Sequence, residues 1–146
     1  MKSTKKGHLM TRTANRGFTL IELMITVAVV AILAAVAIPS YSQYAIRSSR
    51  QAVQSELMVM ASIQEKIYLN SNAYASNITT SYNGSFTGGL GVATGKSRDG
   101  KYTLSVAVAS ATYTITATPV AGSSQGADGA LSINAAETRT WGSATW

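Results

Sequence analysis

Residues 18–38 read FTLIELMITVAVVAILAAVAI, a run of 21 residues that is almost wholly apolar around a helix and carries one ionisable side chain, Glu22. At about 1.5 Å of rise per residue such a run is long enough to cross the roughly 30 Å of a bilayer's hydrocarbon core. A helix that is hydrophobic all round must be covered by lipid or by other apolar helices. A carboxylate in that setting costs roughly 2.5–3.5 kcal/mol even on lenient insertion scales, so an intramembrane acid is by default a functional residue in search of a cation. Glu22 is the fifth residue of the run, about 6 Å inside its edge, and from there a side chain can also reach back to the interface. That plainer reading accounts for the acid being tolerated. It does not account for the basic segment, the Gly17–Phe18 junction and the abrupt apolar onset that precede it.

Residues 1–17 hold Lys2, Lys5, Lys6, Arg12 and Arg16 and no acid. The positive-inside bias assigns this end to the cytoplasm, and the segment reads as a cleaved leader rather than as structure. The whole chain has twelve bases against six acids, a formal +6. Loss of the five leader bases leaves seven against six, so the net charge of the whole chain is a poor argument for nucleic-acid binding by what remains. A secretory signal is the rival reading, because Ala35-Val36-Ala37 fits a small-residue cleavage site, with the cut after Ala37. The apolar run exceeds the roughly 7–15 residues of a usual signal core, which favours a membrane-spanning segment over residues 18–39.

Pro39 ends the all-round apolar pattern and is expected to kink the helix there. Beyond it Ile46, Val53, Leu57, Met60 and Ile67 recur at helical spacing, predicting an amphipathic helix over 40–69 with Arg47, Arg50, Gln51, Glu56 and Glu65 on a solvated or subunit-facing side. Residues 70–100 are rich in Asn, Ser, Thr, Tyr and Gly and read as a long connecting loop. The Gly88-Gly89-Leu90-Gly91 stretch has no following Gly-Lys-Ser/Thr and is not a phosphate loop. Asn77-Ile78-Thr79 and Asn83-Gly84-Ser85 match a glycan-acceptor tripeptide too short to outweigh an ordinary loop. Alternation then sets in. Tyr102, Leu104, Val106 and Val108 share one face, and Tyr113, Ile115 and Ala117 share another opposite Thr112, Thr114, Thr116 and Thr118, which predicts a hairpin. Leu131 and Ile133 mark a third strand over 130–134, and 138–141 a fourth short pairing. The apolar face of such a sheet needs a cover, and the helical stripe supplies it. The fold class is α+β, with 40–69 and 70–146 forming one head behind the helix of residues 18–39.

Catalytic chemistry finds no footing. The single histidine, His8, lies in the leader, and cysteine is absent, so the rest of the chain has no thiol nucleophile, His-based triad or soft metal cluster. Asp99, Asp128 and Glu137 would have to converge to bind a hard cation, and a scattered trio of acids is more often solvated loop. No enzyme activity, cofactor or metal is expected.

The residues Arg16-Gly17-Phe18-Thr19-Leu20-Ile21-Glu22-Leu23-Met24 resemble the processing and assembly signature of type IV prepilins. The resemblance implies the type IV pilin fold, a long N-terminal helix packed on a C-terminal antiparallel sheet of three to four strands. It further implies that a prepilin peptidase and N-methyltransferase cuts between Gly17 and Phe18 on the cytoplasmic face and methylates the new amino group of Phe18. Glu22 would engage the α-amino group of a neighbouring subunit during assembly, and Pro39 matches the proline the family places near the end of the apolar segment. Physics supports the transfer: the cut creates a cation a few residues from each Glu22, and in a low-dielectric fibre core such a pair sets register more than it adds stability. Partners implied are other pilin subunits, the peptidase, the inner-membrane pilus assembly machinery and the membrane itself. The implied location is the inner membrane, single-pass with a cytoplasmic N-terminus, and then an extracellular or periplasmic filament. The lack of cysteine departs from the many pilins whose C-terminal loop is closed by a disulfide. Residues 113–119, 128–131 and Trp141 are similar to minor pilins, so the expected function is a minor structural subunit. Two alternatives stay open: a DNA-binding pilin for uptake, using Lys96, Arg98 and Lys101, and a pseudopilin of a type II secretion system.

Overall fold

The computed structural model describes residues 17–146, so the expected leader, with Lys2, Lys5, Lys6, Arg12, Arg16 and His8, lies outside the described residues apart from Gly17. The chain groups into two units, Met1–Ile38 and Pro39–Trp146.

Helix α1 (Leu20–Ser71) starts just inside the apolar run. Thr19 caps it: its Oγ1 accepts the Glu22 backbone N–H at 3.3 Å, and its carbonyl accepts the N–H of Leu23 at 3.2 Å. Thr19-Leu20-Ile21-Glu22 has the spacing of a capping box, and an acid in the first turn also complements the helix dipole. The first unit's apolar side chains are exposed, and the helix is long and apolar enough to cross a membrane. Pro39 lies inside α1.

In the second unit α1 buries Ser49, Val53, Leu57, Met60, Gln64 and Ile67. This is the expected stripe with two changes. Ile46 is only half-buried, and the polar Ser49 and Gln64 take core positions on the same face. The helix ends where Asn72 adopts a φ of 52°, the left-handed conformation that closes many helices and that Asn tolerates better than most residues, with its N–H donating to the Tyr68 carbonyl at 2.7 Å.

The sheet has five antiparallel strands in sequence order, β1 (Tyr102–Ala109), β2 (Thr112–Pro119), β3 (Leu131–Asn134), β4 (Arg139–Trp141) and β5 (Ala144–Thr145). One strand more than expected is present because β5 is two residues long, too short to show alternation. The register sets Leu104 opposite Ala117, Val106 opposite Ile115, Ile115 opposite Ile133 and Ala117 opposite Leu131. Because side chains alternate, this pairing stacks the apolar residues on one face, where they close over Val53, Leu57, Met60 and Ile67 in one core.

Residues 72–101 are more ordered than a plain linker. Gln64, fully buried, donates from Nε2 to the Ala75 carbonyl at 2.7 Å and accepts the Ala75 N–H at 2.9 Å, treating that residue as a neighbouring strand would. The segment then folds on itself through Leu90 N–H to Asn77 O, Gly91 N–H to Thr80 O and Val92 N–H to Ile78 O. Gly89 is tightly placed: a Cβ there would lie 2.4 Å from the Thr80 carbonyl oxygen. Both glycan-acceptor asparagines are used locally, Asn77 accepting from the Thr79 and Thr80 N–H groups and Asn83 from Ser85 N–H.

Candidate functional site

Three places in the chain carry the functional candidates, and each lies within one unit. In the first, Gly17, Phe18, Thr19 and Glu22 line an open recess of about 440 Å³. Phe18 is 76% exposed and Glu22 is also exposed, its backbone N–H held by the Thr19 cap. The junction, the aromatic residue and the acid therefore share one end of α1, and the carboxylate is presented outward.

The second is a groove of about 950 Å³ between the helix positions Ala52, Val59 and Ile63 and the segment Leu90–Gly100. Its rim carries Lys96 and Arg98, both exposed. The third predicted base behaves differently: Lys101 is half-buried and its Nζ donates to Ser49 Oγ at 2.9 Å. Two nearby acids are occupied by the backbone. Glu56 accepts the Arg98 N–H at 3.1 Å, and Asp99 accepts from Ser97 Oγ at 2.6 Å and from the Lys101 N–H at 3.1 Å. Burial pushes the Asp99 carboxyl up, but hydrogen bonds from Ser97, Ser49 and the Lys101 backbone, with the Lys101 charge, hold it below its ordinary value. Glu56 thus bends the loop towards the helix, where the sequence pattern had placed it on a solvated side.

The third was not visible as a site in the sequence. Arg50 forms a charge-paired contact with Asp128, its Nε donating at 2.9–3.0 Å and its Nη2 completing a forked contact. The Asp128 side chain is only 3% exposed. It also accepts from Tyr102 Oη at 2.6 Å and Gln125 Nε2 at 2.7 Å. The Trp141 indole N–H donates to the Asp128 carbonyl, and the Arg50 guanidinium lies 3.6 Å from the Trp141 ring centroid. Gln125 Nε2 reaches the Ile46 carbonyl at 3.1 Å, while its Oε1 is buried with no partner. Burial alone would raise the Asp128 pKa, yet donors from Arg50, Tyr102 and Gln125 bring it below its ordinary 3.8. Burial, with the facing Asp128 carboxylate, pushes the Tyr102 phenol up.

Arg50 is therefore a correction to the expected solvated side of the helix. The signal was available, since Arg50 falls three residues before Val53 and seven before Leu57, on the buried stripe. Asp99 and Asp128 serve separate local networks, exposed Glu137 sits in the β3–β4 turn with a φ of 57°, and no three His, Cys, Asp or Glu side chains converge among the described residues. The Arg50–Asp128 centre fastens the loop after β2 to α1, a task that a covalent bridge cannot perform in a chain without cysteine.

Residues 39–131 match the family described as type IV minor pilin ComP, DNA uptake sequence receptor, and residues 12–38 match the prokaryotic N-terminal methylation motif. The chain is 41% identical over 108 residues to a fimbrial protein of Neisseria meningitidis serogroup A, covering 71% of this chain and 56% of that one. It is 39% identical over 108 residues to the type IV major pilin protein PilE of Neisseria gonorrhoeae, covering 71% and 57%. A shorter match, 41% identical over 61 residues, is to the type IV major pilin protein PilA of Myxococcus xanthus, covering 42% and 28%. The matched region is thus little more than half the length of the Neisseria relatives. With a family match spanning most of the second unit, a long helix leading into an antiparallel sheet and the methylation motif at the junction, the chain belongs to the type IV minor pilin ComP family.

Proposed function

We propose that the chain is a minor structural subunit of a type IV pilus. In this reading prepilin peptidase removes residues 1–17, Phe18 becomes the N-methylated first residue, and residues 18–39 hold the subunit in the inner membrane with its N-terminus cytoplasmic. The inner-membrane assembly machinery then transfers that helix into the core of an extracellular filament. The observation that carries the reading is Glu22, an exposed acid on an otherwise apolar and exposed helix, one turn from the junction where a new α-amino cation would arise. Glu22 pairs with the amino group of an adjacent subunit, and Pro39 kinks the helix as it leaves the apolar segment.

Mass analysis and N-terminal sequencing of the exported protein test this directly. A chain beginning with N-methylated Phe18 is expected, whereas a start at Ile38 would mean ordinary secretion. Glu22→Ala is expected to be processed normally yet to be lost from sheared filaments, and normal incorporation of that variant would remove the assembly role.

A second reading, DNA contact by the head, is favoured by the match of residues 39–131 to a family described as a DNA uptake sequence receptor. Lys96 and Arg98 are the bases we assign to phosphate contact, because both are exposed on the rim of one groove while Glu56 and Asp99 are engaged by the loop itself. Lys101 supports that loop from behind through Ser49.

A further inference from the structure

The sheet has two edges, and they are finished differently. On one side the edge strand is β5, with only two residues, and the Trp146 indole N–H donates to the Thr140 carbonyl at 2.9 Å. On the other side β1 is covered over its first half alone. The Leu104 N–H donates to the Gly95 carbonyl at 2.8 Å, and the Tyr102 carbonyl accepts the Ser97 N–H at 2.9 Å, after which the covering segment turns away. Those bonds establish that the even-numbered residues of β1 direct their backbone groups away from β2. Val106 and Val108 follow in the same phase, and no hydrogen bond outside the β1–β2 pairing reaches either of them among the described residues.

What is missing from this edge is as informative. Ser105-Val106-Ala107-Val108-Ala109 contains no charge, no proline and no glycine, the devices that keep an open strand from pairing with another chain. Its outward side chains, Ser105, Ala107 and Ala109, are small and exposed. The edge is also self-complementary. About a two-fold axis at Ala107, Val106 faces the partner's Val108 and Val108 faces the partner's Val106, and each pair exchanges both N–H···O bonds. Ala107 then faces its own copy in the close, non-hydrogen-bonded position, where two methyl groups fit and no like charges meet.

We propose that the open edge of β1 at Val106 and Val108 is a homotypic docking strand that pairs antiparallel with the same edge of a second copy of this chain. A two-fold contact closes on itself, so it joins two subunits, or two filaments carrying them, and does not build a fibre. It goes beyond assembly through the apolar helix and uses none of its residues.

The absence of native cysteine makes the test specific. The full-length chain, in detergent and in isolated membranes, is prepared as Ala107→Cys and as Ser105→Cys and exposed to a mild oxidant. In the proposed register the Cα atoms at position 107 are about 4.5 Å apart, within disulfide range, whereas those at position 105 are roughly 13 Å apart along the strands. At least tenfold more disulfide dimer is expected from Ala107→Cys than from Ser105→Cys. Adding Val108→Pro, which removes an outward N–H and leaves the β1–β2 bonds untouched, is expected to bring the Ala107→Cys yield down to the Ser105→Cys level. A single-chain product from Ala107→Cys, equal yields from the two cysteine variants, or capture of a different protein at position 107 would overturn the proposal.

Discussion

Asp128 shows how much of the head hangs on single side chains. A carboxylate almost removed from water is held by a guanidinium, a phenol and an amide: Arg50 on α1 and Tyr102 on β1 reach it from distant parts of the chain, and Gln125 from three residues before it in the same loop. Breaking such a pair from one side leaves an uncompensated buried charge, so Arg50→Met is expected to destabilise the head by about 3 kcal/mol, read from denaturant unfolding of the full-length chain in detergent. Asp128→Asn is expected to cost less, because the amide oxygen still accepts from Tyr102. The pH dependence has a definite sign. The folded pKa of Asp128 lies below its ordinary 3.8, so its contribution is complete above that value and is lost as the pH falls through the lower folded one. The stability gap between the natural chain and Asp128→Asn should accordingly be widest at neutral pH and narrow below pH 3.8. Neither Asp128 nor Gln125 advertises this role in the sequence, since both sit in a Gly- and Ser-rich loop with no periodicity.

At the scale of elements, the β1–β2 hairpin was legible: the alternation predicts Tyr102, Leu104, Tyr113, Ile115 and Ala117 as inward residues and the structure buries them, while Val106 and Val108 on the same face are half-buried. The reason is that a strand's period is fixed by the backbone and needs no knowledge of its neighbours. Its turn holds a residue at odds with it. Ser110 takes a φ of 53° at the first central position of a two-residue connection, where a primed hairpin turn prefers glycine. Ser110→Gly should therefore relieve backbone strain and raise the thermal midpoint by an amount equivalent to about 0.5 kcal/mol, after the added freedom of glycine in the unfolded chain is set against the gain. The loop of residues 72–101 was the least legible element. Its order comes from Gln64, which sits four residues after Met60 and three before Ile67; a polar residue on an apolar stripe is a sign of a buried hydrogen-bonding role that a purely hydrophobic reading passes over.

For the molecule as a whole, the distribution of charge limits how the proposed DNA contact could be made. The net positive charge of the whole chain is concentrated in residues 1–17, so any DNA contact by the head must come from a few placed bases. If Lys96 and Arg98 each neutralise one phosphate, replacing both with Ala should weaken duplex binding to a similar extent across sequences and reduce the slope of log affinity against log salt by about 2, measured by fluorescence anisotropy at a series of salt concentrations. An unchanged slope would remove these two residues from the interface. Lys101→Ala should act chiefly through the loop, because its ammonium group is already bonded to Ser49.

The apolar run with its lone acid, the methylation motif around Gly17 and Phe18, the amphipathic stripe and the strand alternation all follow from local pattern, and each was set by the chain's own order of residues. Those features depend on covalent periodicity, which repeats every 2 or 3.6 residues and can be read along a line. The tertiary structure decided which polar residues became structural. Arg50 met Asp128, Glu56 met the Arg98 amide, Gln64 met Ala75, and β1 kept an uncovered edge at Val106 and Val108. Such pairings join residues distant in sequence, and hydrogen bonds select partners by position in space once burial has made an unpaired polar group costly.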